Sequence, residues 1–261
     1  MRNILAIVER ELRAYFISPV AYVVLTIFVF LSGLFFRSIL SQVLQMGLMS
    51  QIQAQQLGPR PMDMPGMITR GFLSTMSVIL LFIMPMLTMG LFSEEKKRGT
   101  IELLLTAPLT DLQVVLGKFF AGAAFFMILL FTLWIPTGIL YLYSSPASGP
   151  ILTAYLGLFL YGLALVAIGL FISTLTENQI IAAVLSFGTI MVLWLIDVLA
   201  NNTESATGKE VLSYLSILSH LDDFMKGVLA TSHIIFYLSL MVVALFLTYR
   251  SIDSLRWRSQ I

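Results

Sequence analysis

Few side chains in this 261-residue chain could break bonds, and their spacing argues against catalysis. There are two histidines, His220 and His233, and neither stands in an HExxH pair that could hold zinc. No cysteine occurs, which removes thiolate metal sites, thiol nucleophiles and disulfides together. The acids at one end of the chain's apolar segments are Asp197, Asp222 and Asp223. Adjacent carboxylates such as Asp222 and Asp223 point to different faces of a helix, which suits solvated groups better than a catalytic pair. No GxxxxGK[ST] motif is present, so the chain cannot itself cradle ATP as a P-loop protein does. An intramembrane enzyme is therefore the weaker reading, and what remains is the chemistry of contact.

Residues suited to contact are concentrated in Ser93 to Lys118, SEEKKRGTIELLLTAPLTDLQVVLGK. Glu94, Glu95, Lys96, Lys97 and Arg98 form an unbroken ionic run. Gly99 is expected to end the helix that carries them, because glycine accepts the left-handed position after a helix and basic side chains favour its C-terminus. Thr100 then caps a short helix with Glu102 in its first turn. Ile101, Leu103, Leu104 and Leu105 make that helix apolar, and Ala107 and Pro108 stop it. Thr110 to Gln113 reads as a Thr-x-x-Gln capping box that opens the next long helix. A short apolar helix on a loop marks an interaction site. Ile101 and Leu104 are the expected plugs in a partner's groove, with Glu94, Glu95, Arg98 and Glu102 as a polar rim. A passive connecting loop would not need so many apolar residues in so few positions.

The elements that must hold this stretch follow from composition. The chain is 58% hydrophobic and 11% charged, where a soluble domain carries about 25% charged residues. No charged residue occurs from Phe119 to Thr176. The expected fold class is all-α integral membrane: six transmembrane helices with an N-terminal interfacial helix, a short apolar helix in the loop after the second span and an outer helical element that lies in or dips into the interface. Residues 1–261 read as one membrane domain, with spans at about 19–37, 71–93, 114–143, 151–175, 179–200 and 232–250. Residues 1–18 set Ile4, Leu5, Val8, Leu12, Tyr15 and Phe16 against a charged face and read as an interfacial helix. The first apolar stretch is too long, and its leader too acidic, for a cleavable signal peptide. Arg37 to Arg70, with Gly58, Pro59, Pro61, Pro65 and Gly66, reads as an extramembrane loop. Pro85 and Pro136 are expected to kink the second and third spans. Ala154, Gly157, Gly162, Ala164, Ala167 and Gly169 let another helix approach the fourth span closely, within the same chain.

The segment 94–113 thus reads as a contact segment, and 210–230 as the outer helical element. In the latter, Val211, Tyr214, Leu218, Leu221, Met225 and Val228 are expected on one packed face, with Asp222 and Asp223 on the wetter side. Ten of the fifteen lysines and arginines fall on the side of the termini and the 94–113 segment, which the positive-inside rule places in the cytoplasm. A net charge of +1 gives no footprint for a nucleic acid.

Six spans and the segment EEKKRGTIELLLTAPLTDLQVVLGK, taken with SPVAYVV, LTENQI and SILSHLDDFMKGV, resemble the permease subunit of an ABC-2 type ABC transporter. Within that family they are most similar to the gliding-motility-type, GldF-like branch. The resemblance implies that Gly99 to Leu105 is a coupling helix seated in a separate ABC ATPase, with Glu94, Glu95, Arg98, Gly99, Thr100, Ile101, Glu102, Leu103 and Leu104 at the contact. It implies that ATP and magnesium are held by that ATPase dimer and that this chain carries no cofactor. It also implies that 94–113 is a cytoplasmic coupling segment, that a second permease half, identical or related, is present, and that 210–230 is an outer re-entrant helical element with gate residues matching Leu218, His220, Leu221, Phe224 and Met225. An accessory extracytoplasmic subunit, membrane lipids and a bacterial-type inner membrane complete the expectation. The spans contain Phe, Leu, Met and Ser without intramembrane charge, which suits a lipid-like or amphipathic cargo. The alternative role is a membrane scaffold for motility or envelope assembly. Topology is directly testable, because a chain without cysteine accepts single reporter cysteines cleanly. Positions 60, 147 and 207 should react with an impermeant thiol reagent outside intact cells, and positions 1, 96, 177 and 255 should not. Labelling at 96 from outside overturns the six-span arrangement.

Overall fold

Long apolar segments without charges can satisfy their backbone in a membrane only as helices or closed barrels. The computed structural model, which describes residues 2–57, 63–102, 109–202 and 206–258, contains helices only among those residues. α1 (Arg2–Ile17) bends at Ser18 into α2 (Pro19–Leu57), and α3 (Met64–Thr88) passes across Met89 into α4 (Gly90–Lys97). α5 (Asp111–Thr132) and α6 (Trp134–Tyr143) share the third span; α7 (Ser148–Ser173) and α8 (Gln179–Asn202) are the fourth and fifth. α9 (Ala206–Leu215) and α10 (Ile217–Met225) precede the last span, α11 (Thr231–Arg258). Six segments are long and apolar enough to cross a membrane: Pro19–Ser50, Met64–Lys97, Asp111–Tyr143, Ser148–Ser173, Gln179–Leu199 and Thr231–Ser254. The molecule is therefore an all-α integral membrane protein.

The stretch between Arg37 and Arg70 departs from expectation. It is not one long loop: α2 continues to Leu57 and α3 already begins at Met64. Leu, Met, Gln and Ser are acceptable helix formers, and Val43 is buried, so packing holds the extension in place. Pro65 was read as a breaker, but at the first helical positions its missing N–H costs nothing. Asp63 caps that start by accepting from the Gly66 N–H at 3.0 Å. Gly58, Pro59 and Pro61 lie outside the described residues. The last span is also longer than expected, because α11 runs on to Arg258.

Burial separates inner from outer spans. In their most apolar stretches, 61, 67 and 78% of residues are buried in the second, third and fourth spans, against 28, 17 and 22% in the first, fifth and sixth. α7 is central because its small residues admit bulky neighbours. A Cβ on Gly162 would come within 2.0 Å of the Phe126 ring on α5, and one on Gly157 within 2.5 Å of Phe224 on α10. The large buried hydroxyls of this core are paired: the Tyr161 hydroxyl donates to the Ser77 carbonyl at 3.1 Å, and the Tyr155 hydroxyl to the Leu133 carbonyl at 2.8 Å. The latter carbonyl lies in the break between α5 and α6, just before Pro136.

A side chain at position 162 has no room. Gly162→Val is expected to lower stability by about 1–3 kcal/mol through overpacking, read as a fall in the detergent melting temperature. Adding Phe126→Ala should recover part of the loss. Equal melting of Gly162→Val and wild type would show that α5 and α7 do not approach this closely.

Candidate functional site

The 94–102 stretch grows out of the end of the second span. α4 ends with Arg98 as its last helical-type residue and Gly99 at φ +68°. The Thr100 N–H donates to the Glu95 carbonyl at 3.0 Å and the Gly99 N–H to the Lys96 carbonyl at 3.1 Å. That pair of bonds is a Schellman stop, so Gly99 does what its position in the sequence suggested. The Thr110 capping box is also formed, with Thr110 and Gln113 each accepting from the other's backbone N–H at 3.4 Å. Thr100 itself bonds back toward the Glu95 carbonyl at 3.3 Å. Its use as a cap for a new helix falls to the following stretch, of which only Ile101 and Glu102 are described. Leu103, Leu104, Leu105, Ala107 and Pro108 lie outside the described residues.

The ionic run divides into two faces. Glu94 and Arg98 pair with each other one turn apart on the solvent side, Lys97 and Glu102 are exposed, and Ile101 is half-buried against the core. Lys96 reaches sideways and donates to the Thr174 carbonyl, which satisfies the C-terminus of α7. Glu95, expected on the polar rim, is instead turned into the protein. It faces Lys118 at 3.0 Å and Arg10 at 2.9 Å.

Lys118 is the centre of this arrangement. It sits in the second turn of α5 with only 1% of its side chain exposed. A buried ammonium is tolerated only when paired, and Lys118 has three partners, two that accept hydrogen bonds from it and one, Glu95, that faces it as an ion pair. These are Glu11 at 3.0 Å, Glu95 at 3.0 Å and the Leu91 carbonyl. The ring of Phe92 lies 5.0 Å from the charge. Arg10 closes the ring by bonding Glu11 at 2.6 Å and Glu95 at 2.9 Å. One charged node therefore joins α1, α4 and α5. Apolar contacts reinforce it: Ile7 fills the space that a Cβ on Gly117 would occupy, and Tyr15 stacks near Phe125 at 5.3 Å while its hydroxyl donates to the Leu87 carbonyl.

Sequence reading treated Lys118 as one more positive charge and Glu95 as part of a rim. The signal that could have found the node was there, since a lone lysine in VVLGKFF sits in an apolar helix and needs a partner. Which acids would meet it was not legible, because Glu11 and Glu95 are far away in sequence.

At the opposite end, α10 is anchored on three sides. Ser216 separates it from α9; its hydroxyl accepts from the Ser219 N–H at 3.1 Å and donates to Asp197 of α8 at 2.9 Å. The Tyr237 hydroxyl donates to the Ile217 carbonyl at 2.7 Å, and Thr153 to the Phe224 carbonyl at 3.1 Å. Gly227, at φ +86°, ends α10 with a second Schellman stop. Of the residues expected in the outer element, His220, Leu221, Phe224 and Met225 are buried and Leu218 is half-buried. The packed face differs from the expected one: Ile217 joins it, whereas Tyr214 and Val228 are exposed. Val211 lies where side chains are not described. The break at Ser216 resets the helical phase, so a single wheel drawn from Val211 to Val228 is wrong. Asp222 and Asp223 are on the wetter side, as expected. An open crevice of about 460 Å³ lies between α3, α8 and α10, lined by Ser74, Ser77, Asp197, Leu218, Asp223 and Lys226 among others.

No group of three or more His, Asp or Glu side chains suited to a metal ion occurs among the described residues. A family profile described as "ABC-2 family transporter protein" matches residues 5–254. The chain belongs to the ABC-2 transporter family. No curated protein matches it. For a multi-pass ABC-2 chain the two ends just described take on meaning: a charged face beside the 94–113 segment, and an open crevice beside α10 at the opposite end of the spans.

Breaking the Lys118 node should be costly. Lys118→Ala leaves Glu11 and Glu95 buried without their main partner and is expected to destabilise by about 3–5 kcal/mol. Glu11 also sets a pH dependence. Burial alone would raise its carboxyl, but Lys118 and Arg10 outweigh burial and hold it below its ordinary 4.5. A depressed carboxyl stabilises the fold fully above that ordinary value and loses its contribution as pH falls through the lower, folded value. Wild-type melting temperature should therefore fall on acidification below about pH 4.5, and Glu11→Gln should show a shallower acid slope. Parallel slopes would exclude Glu11 from the node.

Proposed function

We propose that this chain is the permease subunit of an ABC transporter and that a separate ABC ATPase docks on residues 94–113. The observation that carries this reading is the Lys118 node. It fixes the stretch leading to Gly99 rigidly to α1 and α5, while Glu94, Lys97, Arg98 and Glu102 stay available on the surface. A displaced docking segment would then drag the second and third spans with it as one body, the requirement for transmitting a rigid-body movement. ATP and magnesium would be held by the ATPase dimer, since this chain has no P-loop motif.

The positive-inside count supports a cytoplasmic location for this face and for both termini, in a bacterial-type inner membrane. A second permease half, identical or related, would pack against the spans that are least buried, the first, fifth and sixth. The crevice combines serine hydroxyls and carboxylates with Val78, Leu218 and Met225, which suits an amphipathic or lipid-like cargo. The role in the GldF-like branch would be export or movement of such a molecule across the membrane, with an accessory extracytoplasmic subunit at the far side.

The test separates docking from folding. Because Ile101 is half-buried, the variant to make is Leu104→Asp together with Arg98→Glu, which leaves the node intact. With permease abundance in the membrane unchanged, co-purified ATPase and permease-dependent hydrolysis should fall by at least about tenfold, which corresponds to some 1.4 kcal/mol. Glu102→Gln alone should change both by much less, since exposed pairs are worth about 1 kcal/mol or less. Full ATPase binding by the double variant would place the interface elsewhere.

A further inference from the structure

The only two histidines of the chain meet at the end opposite the Lys118 node. Nδ1 of His220 lies 2.6 Å from Nδ1 of His233, with ring centroids 4.9 Å apart. The outer nitrogen of each ring faces a group that can only accept. His220 Nε2 is 3.0 Å from the Tyr214 carbonyl, and His233 Nε2 is 3.0 Å from an oxygen of Asp223. The proton count follows from these contacts. A carbonyl and a carboxylate have no hydrogen to offer, so each Nε2 must carry one. If both rings were neutral, each Nδ1 would then be a bare lone pair, and two lone pairs do not approach to 2.6 Å. One further proton between them turns the contact into a charge-assisted N–H···N bond. The total is unchanged if that positive charge is neutralised by moving a proton from His233 to Asp223, because the chain from Asp223 to Tyr214 still holds three protons.

We propose that His220 and His233 form a proton-binding site that latches the α9–α10 element to α11 by sharing one extra proton at neutral pH. The surroundings suit a single added charge. Asp222 and Asp223 carry two negative charges near one ammonium, Lys226, which faces both. A proton on the histidine pair brings that group to neutrality. The other ionisable groups facing it are Asp197 of α8, bonded to Ser216, with Tyr214 of α9 and Tyr237 of α11. From α7 come Thr153 and Tyr161, and α3 contributes Ser74 and Ser77 along the crevice. Arg70 and Asp63 border the neighbouring pocket against Met225. His220 is 5% exposed and stacks on Phe236 at 4.0 Å. Burial pushes His220 below its ordinary value; the Tyr214 carbonyl opposes this, His233 adds to it and Asp223 opposes it least. Of the two rings, His233 is the one that faces a carboxylate, that of Asp223.

The site governs access to the crevice, because Asp223 borders the crevice and is also the counter-ion of the pair. Loss of the shared proton restores two facing lone pairs, and the contact must open. The release frees α10 from α11 at this point, leaving the Tyr237 and Thr153 bonds to hold it.

A chain with two histidines makes the measurement unambiguous. The full-length protein, labelled with ¹⁵N-histidine and reconstituted in phosphatidylcholine and phosphatidylglycerol vesicles, is followed by solid-state NMR between pH 5 and 9. Strongly coupled groups titrate in two macroscopic steps separated by more than about one unit. The expected result is one step below about 6.5, the ordinary histidine value, and one above neutral pH, with a hydrogen-bonded Nδ1–Nδ1 pair between them. In Asp223→Asn the upper step should move down by about one unit or more, since a carboxylate at this range favours the charged form. Both histidines titrating independently near 6.5, or both neutral through pH 6, overturns the proposal, as does an upper step that Asp223→Asn leaves in place. Accessibility gives a second reading: Leu218→Cys, normalised to the exposed Val228→Cys so that thiol ionisation cancels, should react several-fold faster above the upper step. A pH-independent ratio would exclude the latch.

Discussion

Lys118 carries a charge into an interior made almost wholly of apolar helices, and an ammonium persists there only if it is paired. That requirement dictates much of the basic end of the molecule. Two partners are carboxylates from separate helices and the third is the Leu91 carbonyl near the end of the second span. α1 consequently cannot lie loosely in the interface; it is bound to the body through Glu11 and Arg10. α4 likewise cannot swing freely, because Glu95 belongs to the same node. The run Glu94 to Arg98 is sorted by this constraint into a side that braces and a side that faces out.

The opposite end obeys the same rule with weaker groups. Helix ends and short broken helices expose backbone carbonyls, and near a membrane these need donors from within the protein. α10 is held by hydroxyls of Tyr237 and Thr153 on such carbonyls, and Ser216 links it to Asp197. The histidine pair adds a contact between two ring nitrogens, which needs a proton between them to hold. Between the two ends, α7 transmits position by packing, since Phe126 and Phe224 occupy space that its glycines leave open. Lys96 on the Thr174 carbonyl joins the α4 end to the same helix. A movement imposed beside Gly99 therefore has a continuous packed route to α10, through elements that have little freedom to absorb it.

Membership of the ABC-2 family rests on a match along nearly the whole chain, and the distribution of chemistry agrees with a moving part. Charge is concentrated at the two ends, the middle is apolar, and no group of three or more His, Asp or Glu among the described residues is placed to hold a metal ion.

Sequence alone determined the local features that need only neighbours. Gly99 takes positive φ because no other residue does so without cost, and the Thr110 capping box closes because donor and acceptor are three residues apart. The apolar segments were equally legible, because each must bury or face lipid along its whole length. Even locally there were misreadings: Pro65 starts a helix, and α2 runs to Leu57 where a loop was expected, because propensity is weak and packing of residues such as Val43 decides. The tertiary structure alone decided which charges meet. Glu11, Glu95 and Lys118 come from three helices, as do Tyr214, His220 and His233, and nothing in their spacing states that they converge. A buried charge in a sequence announces that it needs a partner; only the fold brings the partner within 3 Å.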